Sequence, residues 1–473
     1  MNILEALDDK EIFASFFRET SWQPWRAFLK AWAGLGETMS DEELEVFRKH
    51  TGRTTPPTVP FIESTLIVGR RAGKSRILAT IAVYLAAFRD YEPHLAPGER
   101  ATVAIIATDR RQARVIFRYV AGLLKAVPLL ADLVEAETSD TVELSNRVTI
   151  EIATASWRVT RGYTFAAVLA DEAAFWRDEN SANPADEILR AIRPGLASIR
   201  GACLLKASSP YGRKGILYND YRRFHGKDDA RVLVWQAATR DMNPSIPLEV
   251  VEEALEEDPA AAAAEWLGQF RDDLSDFVGR EVVEACVVDG RHELPPVAGT
   301  DYVAFCDPSG GSSDSMTLAI AHQEGDVAVL DLVREVRAPF SPDAVVQDFA
   351  AVLGNYGLRR VTGDRYAGHW PAERFAAHGV SYESSELVKS EIYLNLLPTL
   401  MSRRIELLEW PRLVQQLATL ERRTARGGRD RVDHPMGGHD DVANAAAGAL
   451  LAASRGAAGG YDLMALVGMQ PGD

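Results

Sequence analysis

Seven consecutive residues, the segment GRRAGKS at 69–75, have the composition of a phosphate-binding loop. An apolar run before the segment predicts a buried strand, and apolar residues at helical spacing after it predict a helix. Backbone N–H groups at the start of a helix attract phosphate, and lysine and arginine add positive charge. The usual pattern has a glycine where this chain has Val68, so a plain strand–turn–helix is the alternative. The candidate nucleotide contacts are Gly69, Arg70, Arg71, Ala72, Gly73, Lys74 and Ser75.

An acidic pair, Asp171 and Glu172, follows a later apolar run in the segment VLADEAAFW. Ligands of parallel sheets bind at the carboxyl ends of the strands, so a pair at a strand end can serve the nucleotide loop. We expect Asp171, with Ser75, to bind Mg²⁺ and Glu172 to polarise the attacking water. Acidic pairs also begin helices, which is the alternative.

The next apolar run ends in Ser208 and Ser209, within the segment KASSPYG. In nucleic-acid motors, small hydroxyl residues at this point sense the γ-phosphate of the nucleotide. A serine–proline turn is the alternative. Strands that alternate with helices through this half of the chain predict an α/β fold with a mainly parallel sheet covered on both faces.

Three further acidic sites lie in the second half of the chain. Asp307 ends a predicted strand in FCDPSGG, Asp364 ends another in TGD, and Asp440 and Asp441 begin an alanine-rich helix in GHDDVANAAAG. Carboxylates suit Mg²⁺ or Mn²⁺, and a two-ion phosphodiester site needs carboxylates that bridge or flank the ions. Asp314 is an additional candidate. A lone strand-end aspartate is usually a solvated cap, but the predicted order β–β–β–α–β with a terminal helix resembles the ribonuclease H-like fold.

A group of arginines precedes the last acidic site, around a Gly-Gly pair. Guanidinium groups match phosphate oxygens, so we expect this group to bind the DNA backbone beside the metal site. A solvated basic turn is the alternative. The residues are Arg422, Arg423, Arg426, Arg429 and Arg431.

The composition is that of a globular protein with more than one domain. The chain has 473 residues, 47% of them hydrophobic, and a formal net charge of −16, which leaves room for a local basic groove. Its three cysteines are widely spaced, which predicts a reducing compartment and no disulfide framework. The N-terminal segment lacks an apolar core, and no run reaches membrane-spanning length. We therefore expect a cytoplasmic protein with no membrane partner.

Taken together, the motifs resemble those of the large terminase subunit of tailed bacteriophages, a DNA-packaging motor, or of a related phage-like particle. The resemblance spans roughly residues 22–451 and includes the irregular phosphate loop and its arginines. It implies that Arg70 or Arg71 aids hydrolysis and that Gln23, in SWQPWRAFLKAW, contacts the adenine. It also implies that Asp440 or Asp441 is the third acidic ligand of a nuclease centre.

The resemblance further implies a fold, an activity and a set of partners. The fold would be a P-loop ATPase of the additional-strand, catalytic-glutamate type at about 1–275, a linker at 276–297, and a ribonuclease H-like nuclease at 298–473. The protein would use ATP and Mg²⁺, with Mn²⁺ possible at the nuclease site, to drive double-stranded DNA into a procapsid and cut concatemers. Its partners would be that DNA, the portal protein, a small terminase subunit and further copies in a ring on the portal. In isolation it would be a monomer. It would act in the cytoplasm of the infected or lysogenic bacterial host and be absent from the mature virion.

Two other functions fit parts of the pattern. A stand-alone ATP-dependent DNA helicase or repair nuclease would unwind or cut DNA without any portal. An inactive prophage-derived remnant would only bind DNA. Decay is disfavoured because the four most important candidates, Lys74, Glu172, Asp307 and Asp364, are all intact.

Overall fold

The computed structural model describes residues 1–155, 162–176, 184–312, 314–364, 370–424, 430–435 and 437–456. The chain divides into two compact units, Met1–Asp273 and Leu274–Asp473. The segment 276–297, predicted to be a linker, lies in the second unit and includes a helix, Arg280–Glu284, whose Val283 is buried. Each unit has its own apolar core around its own sheet.

The first unit contains a mainly parallel sheet with the strand order β3-β4-β5-β2-β6-β7-β1-β8. The strands from β5 to β8 in this order are parallel, and β3 and β4 form an antiparallel edge. Strand β7 lies between β1, which leads into the phosphate loop, and β6, which ends in the acidic pair. This strand is the additional one that the predicted ATPase class requires. The strands are β1 (Glu63–Val68), β2 (Ala101–Ala107), β3 (Val134–Glu137), β4 (Thr141–Leu144), β5 (Val148–Thr154), β6 (Phe165–Asp171), β7 (Cys203–Ser208) and β8 (Leu233–Ala237).

Helices surround this sheet, and their apolar faces are buried on it. Helix α4, which follows the phosphate loop, is buried along most of its length, and it packs both on the sheet and against its neighbour α5. Single 3₁₀ turns stand at Thr20–Trp22, Gly36–Thr38, Glu92–His94 and Ala173–Phe175. The helices are α1 (Ile3–Asp8), α2 (Gln23–Trp32), α3 (Asp41–Thr51), α4 (Lys74–Phe88), α5 (Arg110–Ala126), α6 (Pro128–Ala131), α7 (Pro184–Ala197), α8 (Gly215–Phe224), α9 (Thr239–Met242), α10 (Leu248–Glu257) and α11 (Pro259–Leu267).

The second unit contains a mixed sheet with the order β14-β13-β10-β11-β12-β15 and a small antiparallel sheet, β17-β16-β9. Strands β10, β11 and β12 form an antiparallel meander, and β13 pairs parallel to β10. This is the strand arrangement expected of a ribonuclease H-like fold. The strands are β9 (Leu274–Asp276), β10 (Tyr302–Asp307), β11 (Met316–Glu324), β12 (Val327–Val336), β13 (Arg360–Gly363), β14 (Ser381–Ser384), β15 (Ile405–Glu406), β16 (Glu421–Thr424) and β17 (Asp430–Asp433).

The last helix in the described part of this unit packs directly on β10, β11 and β12. Its alanine-rich sequence is explained by the close approach, since a Cβ added at Gly448 would lie 2.3 Å from the ring of Phe305 on β10. Small side chains let the helix carry its first residues to the carboxyl end of β10. The helices are α12 (Arg280–Glu284), α13 (Pro342–Asn355), α14 (Trp370–Ala377), α15 (Lys389–Met401), α16 (Pro411–Thr419) and α17 (Asp441–Gly456).

Candidate active sites

The phosphate loop joins β1 to α4 and is fixed by side chains from outside it. Three successive loop carbonyls each accept one hydrogen bond. Arg70 O accepts from Thr239 Oγ1 (2.7 Å), Arg71 O from Asn243 Nδ2 (2.8 Å) and Ala72 O from Trp25 Nε1 (2.8 Å). Because these carbonyls accept hydrogen bonds from side chains around the loop, the loop conformation is set before any ligand binds.

The loop needs unusual backbone angles at two positions. Gly73 has a φ of 102°, and a Cβ added there would lie 3.2 Å from Trp25 Nε1. Arg71 has a φ of 61°, which is costly for a residue with a side chain. Strain of about 1–3 kcal/mol at one residue persists where surrounding contacts hold the backbone, as the bonds to the loop carbonyls do here.

Lys74 begins α4 and is buried, with 6% of its side chain exposed. Its Nζ donates to the carbonyls of Val68 (2.8 Å) and Gly69 (3.0 Å). Burial lowers the pKa of the Lys74 ammonium, and the charges of Glu172 and Asp171 oppose that shift. The ammonium, the loop and the acidic pair are therefore close enough to interact in one site.

The acidic pair stands at the end of β6, beside β7. Asp171 is 5% exposed, and within the described chain its Oδ1 is buried without a hydrogen-bond partner. Burial first, and then the neighbouring Glu172, raise the pKa of Asp171 to about 7, while Lys74 opposes the shift. A buried carboxylate oxygen with no donor fits the requirements of a Mg²⁺ ligand, directly or through water. Ser75, the other candidate Mg²⁺ ligand, is half-buried in the first turn of α4.

Glu172 is held by the first serine of the pair at the end of β7. Ser208 Oγ lies 2.9 Å from Glu172 Oε2 and donates to it. Glu172 itself has left-handed backbone angles, φ 48° and ψ 39°. Ser209 is also buried, but its Oγ has no hydrogen-bond partner among the described residues. The two predicted serines therefore differ in their contacts, and only Ser208 bonds the glutamate.

The loop arginines differ as well. Arg70 Nη1 lies 3.0 Å from Glu265 Oε1 on α11, and its backbone N–H donates to Glu265 O (2.6 Å). Arg71 is exposed. Gln23 is the exposed first residue of α2, next to Trp22, whose ring lies 3.5 Å from a Cβ built at Gly73. It lines a shallow cavity together with Phe17, Arg18 and Arg26.

In the second unit, two of the predicted carboxylates stand on neighbouring strands. Cys306 on β10 pairs in register with Gly363 on β13, so Asp307 and Asp364 follow side by side at the carboxyl ends of parallel strands. Asp364 N donates to Cys306 O at 3.3 Å. Asn444, on the first turns of α17, donates through Nδ2 to Asp307 Oδ2 (2.9 Å), which links the helix to the site.

The two aspartates at the start of α17 have different surroundings. Asp440 is 4% exposed and accepts from Tyr393 Oη (2.9 Å) and from Lys389 Nζ (3.0 and 3.1 Å), both on α15. Asp441 is half-buried, and within the described chain its Oδ2 has no hydrogen-bond partner. The predicted helper, Asp314, forms a 3.5 Å contact with His439 Nδ1.

The charges of these carboxyl groups affect one another's pKa values, so the groups lie close enough to interact. Burial raises the pKa of Asp307 well above its usual value, the Asn444 hydrogen bond opposes the shift, and Asp441, Asp440 and Asp364 add to it. Burial, followed by the charge of Asp440, raises the pKa of Asp441 to about 6. Carboxylates that repel each other in one place are what a divalent cation would neutralise.

A neighbouring cluster was not predicted from the sequence. Ligand atoms of Asp433, His434 and Asp440 all lie within 4.8 Å of one another. Lys389 Nζ, however, lies 2.8 Å from Asp433 Oδ1 and also bonds Asp440. The carboxylates of this cluster are thus already paired with an ammonium group.

Three of the predicted arginines lie on the paired strands β16 and β17. Arg422 forms an ion pair with Asp430, and Arg431 Nη2 lies 3.3 Å from Asp433 Oδ2 with 70% of its side chain exposed. Arg423 is half-buried. Arg426 and Arg429 lie outside the described residues.

Solved structures similar to this chain include phage large terminases. That of bacteriophage HK97 is 17% identical, with 83% of this chain and 91% of that chain covered and a TM-score of 0.37. The large terminase of a thermophilic bacteriophage, solved in complex with ATP-gamma-S, is 13% identical, with coverage of 81% and 92% and a TM-score of 0.36. The large terminase nuclease of the thermophilic phage G20c with bound magnesium is 16% identical, with coverage of 36% and 94% and a TM-score of 0.32.

No protein-family model matches this chain, and no curated protein matches it. None of the helices in the described ranges combines the length and the apolar character needed to cross a membrane. Similarity to large terminase structures from several phages extends over most of the chain, at low sequence identity.

Proposed function

We propose that this chain is a DNA-packaging motor subunit that hydrolyses ATP in its first unit and cuts double-stranded DNA in its second. One observation carries the proposal. There are two separate acidic sites, one at the carboxyl ends of strands in the sheet of the first unit and one at the carboxyl ends of strands in the sheet of the second unit. In the first unit, Asp171 and Glu172 stand at the end of β6 in the additional-strand sheet, and Lys74 begins α4 close to them. Asp307 and Asp364 stand in the ribonuclease H-like sheet.

In the first unit, the loop amides and Lys74 bind the nucleotide phosphates. To reach them, Lys74 Nζ exchanges its bonds to the Val68 and Gly69 carbonyls for phosphate oxygens. Asp171 and Ser75 would hold Mg²⁺, which would neutralise phosphate charge. Glu172 orients the attacking water and accepts its proton, and Ser208 fixes the carboxylate for that role.

Of the two loop arginines, we assign the catalytic role to Arg70, whose side chain forms an ion pair with Glu265. The side chain is held by Glu265 on α11, so a movement of α11 would free the guanidinium for the γ-phosphate. Gln23 is retained as the adenine contact, since it adjoins Trp22 and Trp25, which touch the loop at Gly73.

In the second unit, Asp307, Asp364 and Asp441 form the metal site. Asp441 is preferred to Asp440 because its Oδ2 is buried without a donor, whereas both oxygens of Asp440 are bonded to Lys389 or Tyr393. Mg²⁺ or Mn²⁺, when bound, would activate water and stabilise the leaving oxygen. Asn444 orients Asp307, and the contact with Lys389 directs the Asp440 carboxylate away from the metal.

The motor would bind DNA through a group of arginines and act together with other proteins. The predicted arginine group contacts the DNA backbone, although Arg422 and Arg431 already have acidic neighbours. This group consists of Arg422, Arg423, Arg426, Arg429 and Arg431. A portal protein, a small terminase subunit and a ring of copies complete the motor, which acts in the cytoplasm of the bacterial host. ATP and Mg²⁺ are the required ligands, and Mn²⁺ can replace Mg²⁺ at the nuclease site.

The test measures both activities on the same preparations. Lys74→Ala and Glu172→Gln should both abolish ATP hydrolysis, but the glutamine variant should still bind ATP because it loses no phosphate contact. Asp307→Asn should lower cleavage of plasmid DNA by several orders of magnitude and leave ATP hydrolysis within about a few-fold. Normal hydrolysis by Glu172→Gln, or normal cleavage by Asp307→Asn in a folded protein, would contradict the assignment.

A further inference from the structure

Helix α5 of the first unit is strongly basic in an acidic chain. Its residues 110–126 include arginines and a lysine but no acidic residue, although the chain has a formal net charge of −16. Its buried face, around Ile116 and Val120, packs towards the core. The basic side chains lie on the opposite, exposed face. They are Arg110, Arg111, Arg114, Arg118 and Lys125.

These basic residues form one stripe. At 100° per residue, Arg111, Arg114, Arg118 and Lys125 fall within about 60° of one another around the helix axis. Within the described chain, neither Arg111 nor Arg118 forms an ion pair. The others have acidic neighbours at the border of the stripe. Arg110 and Arg114 lie 3.6 and 3.5 Å from Asp140, and Lys125 lies 2.8 Å from Glu137.

The surface along the stripe is open to a partner. Gly122 lies between Arg118 and Lys125 along the helix, and a Cβ built on it would meet nothing within 4 Å. Beside the stripe, Val115 is 43% and Tyr119 is 45% exposed. Arg111 and Arg118 are about 10 Å apart along the helix axis, which is close to three phosphate intervals of one DNA strand, at about 3.4 Å of DNA axis for each interval.

The helix is also placed to respond to the nucleotide. It follows β2, which adjoins β6 and its terminal Asp171, so α5 begins at the edge of the sheet that carries the nucleotide site. It packs against α4, whose first residue is Lys74. A shift of α4 when phosphates bind or leave would therefore reach α5 through direct contact.

We propose that the exposed stripe of α5, centred on Arg111 and Arg118, is a second DNA-binding surface that grips the phosphate backbone of double-stranded DNA. The inference rests on the proposed function and extends it, because it assigns a DNA contact to the unit that hydrolyses ATP. Unpaired guanidinium groups in a chain of negative net charge favour a polyanion, and a stripe without acidic residues suits a backbone that carries charge continuously. The contact reads no sequence, since phosphates carry none.

The test uses the full chain and a fluorescent double-stranded DNA of mixed sequence, with EDTA present to prevent cleavage. The affinity is measured by anisotropy at several salt concentrations between about 50 and 200 mM. Arg111→Gln with Arg118→Gln should weaken binding and lower the log–log salt slope by roughly 1.8, about 0.9 for each lost phosphate contact. Arg222→Gln with Arg223→Gln, on exposed positions of α8, is the matched control for the same change of charge.

The outcomes separate the two proposals. A lower slope in the α5 variant alone, with an unchanged melting temperature, supports the inference. An unchanged slope in the α5 variant, while the unaltered chain binds DNA, would overturn the inference and leave the proposed function standing; the stripe would then face a protein. An equal loss in the α8 control would also overturn it, since the effect would be one of net charge. If the unaltered chain binds no duplex, both proposals fail.

Discussion

Ser208 Oγ lies 2.9 Å from Glu172 Oε2, which connects the end of β7 to the acidic pair at the end of β6. The same hydroxyl lies 2.8 Å from the carbonyl of Ser209. Since Glu172 has a left-handed backbone, its side chain departs from the direction that a normal strand end would give it. The serine hydroxyl therefore helps to orient the Glu172 carboxylate, and it shares its hydrogen between that carboxylate and the Ser209 carbonyl.

We expect Ser208→Ala to lower the turnover of ATP by about tenfold to a hundredfold, because a carboxylate that is misplaced by about 1 Å positions water poorly. ATP affinity should change little, since the loop amides and Lys74 supply the proposed phosphate contacts. The measurement is steady-state hydrolysis with a separate nucleotide-binding assay. Ser64→Ala, on β1, is the matched control, because Ser64 is also buried and its Oγ has no partner among the described residues. An equal loss in both variants would mean that the effect comes from the packing of the sheet.

The sequence is a good guide to groups that stand at the ends of strands. The phosphate loop follows a buried apolar strand, and the acidic pair and Asp307 lie at the ends of two others, so local patterns suffice to predict where these strands end. Asp364 follows β13, a shorter strand in which buried and more exposed residues alternate. The order of strands in the two sheets agrees with the predicted fold class. The antiparallel edge formed by β3 and β4 was not predicted, because these strands are short and mostly polar.

Contacts between distant segments could not be predicted in this way. Thr239 and Asn243 bond the phosphate loop from more than a hundred residues further along the chain, where they begin and follow the short helix α9. Lys389 and Tyr393, which distinguish Asp440 from Asp441, belong to an ordinary amphipathic pattern on α15. Such residues acquire a role only through tertiary packing, and a single sequence carries no local signal for it.

The ion pair between Arg70 and Glu265 predicts a change in hydrolysis that depends on both residues. If Arg70 must leave Glu265 to reach the nucleotide, Glu265→Gln should raise turnover by up to about fivefold, since exposed ion pairs contribute at most about 1 kcal/mol. Arg70→Gln should lower turnover by about 10³-fold, as expected when an arginine that stabilises transferring phosphoryl charge is lost.

The double variant is the decisive measurement for this pair. In the Arg70→Gln background, Glu265→Gln should have no further effect on turnover, because the group that it restrains is gone. Glu257→Gln, which is an exposed change at the end of α10, serves as the control for charge. A gain of the same size in both backgrounds would show that Glu265 acts on the nucleotide site by another route.

Substitutions of the two aspartates at the start of α17 should have different effects on DNA cleavage and on stability. Asp441→Asn should abolish DNA cleavage and leave the protein at least as stable, because an unbonded carboxyl oxygen and its repulsion with Asp307 and Asp440 are removed. Asp440→Asn should lower the free energy of unfolding by about 1–3 kcal/mol, since it breaks the ion pair with Lys389. Cleavage assays and thermal melts of the two variants test this difference. A loss of cleavage only in a folded Asp440→Asn would reverse the assignment of the third ligand.

Stability should depend on pH through the acidic site of the second unit. The pKa of Asp441 is raised to about 6, above the usual value of about 3.9 that an unfolded chain would have. The folded state therefore holds this proton more tightly, so the stability gained from protonation is complete below about pH 4 and is lost as the pH rises through about 6. Asp307 contributes with the same sign, because its pKa is also raised. We expect the melting temperature to fall between about pH 4 and 6 by more in the unaltered chain than in Asp441→Asn.

A divalent cation should reverse this loss of stability. Above about pH 6, Mg²⁺ should stabilise the unaltered chain by binding the charged carboxylates, and should do so less in Asp441→Asn or Asp307→Asn. Asp326→Asn, an exposed change in the β11–β12 turn, is the control. Two results would contradict this prediction: a melting temperature that falls equally with pH in all these variants, and an equal response of all of them to Mg²⁺. They would show that these carboxyl groups neither repel one another nor share a cation.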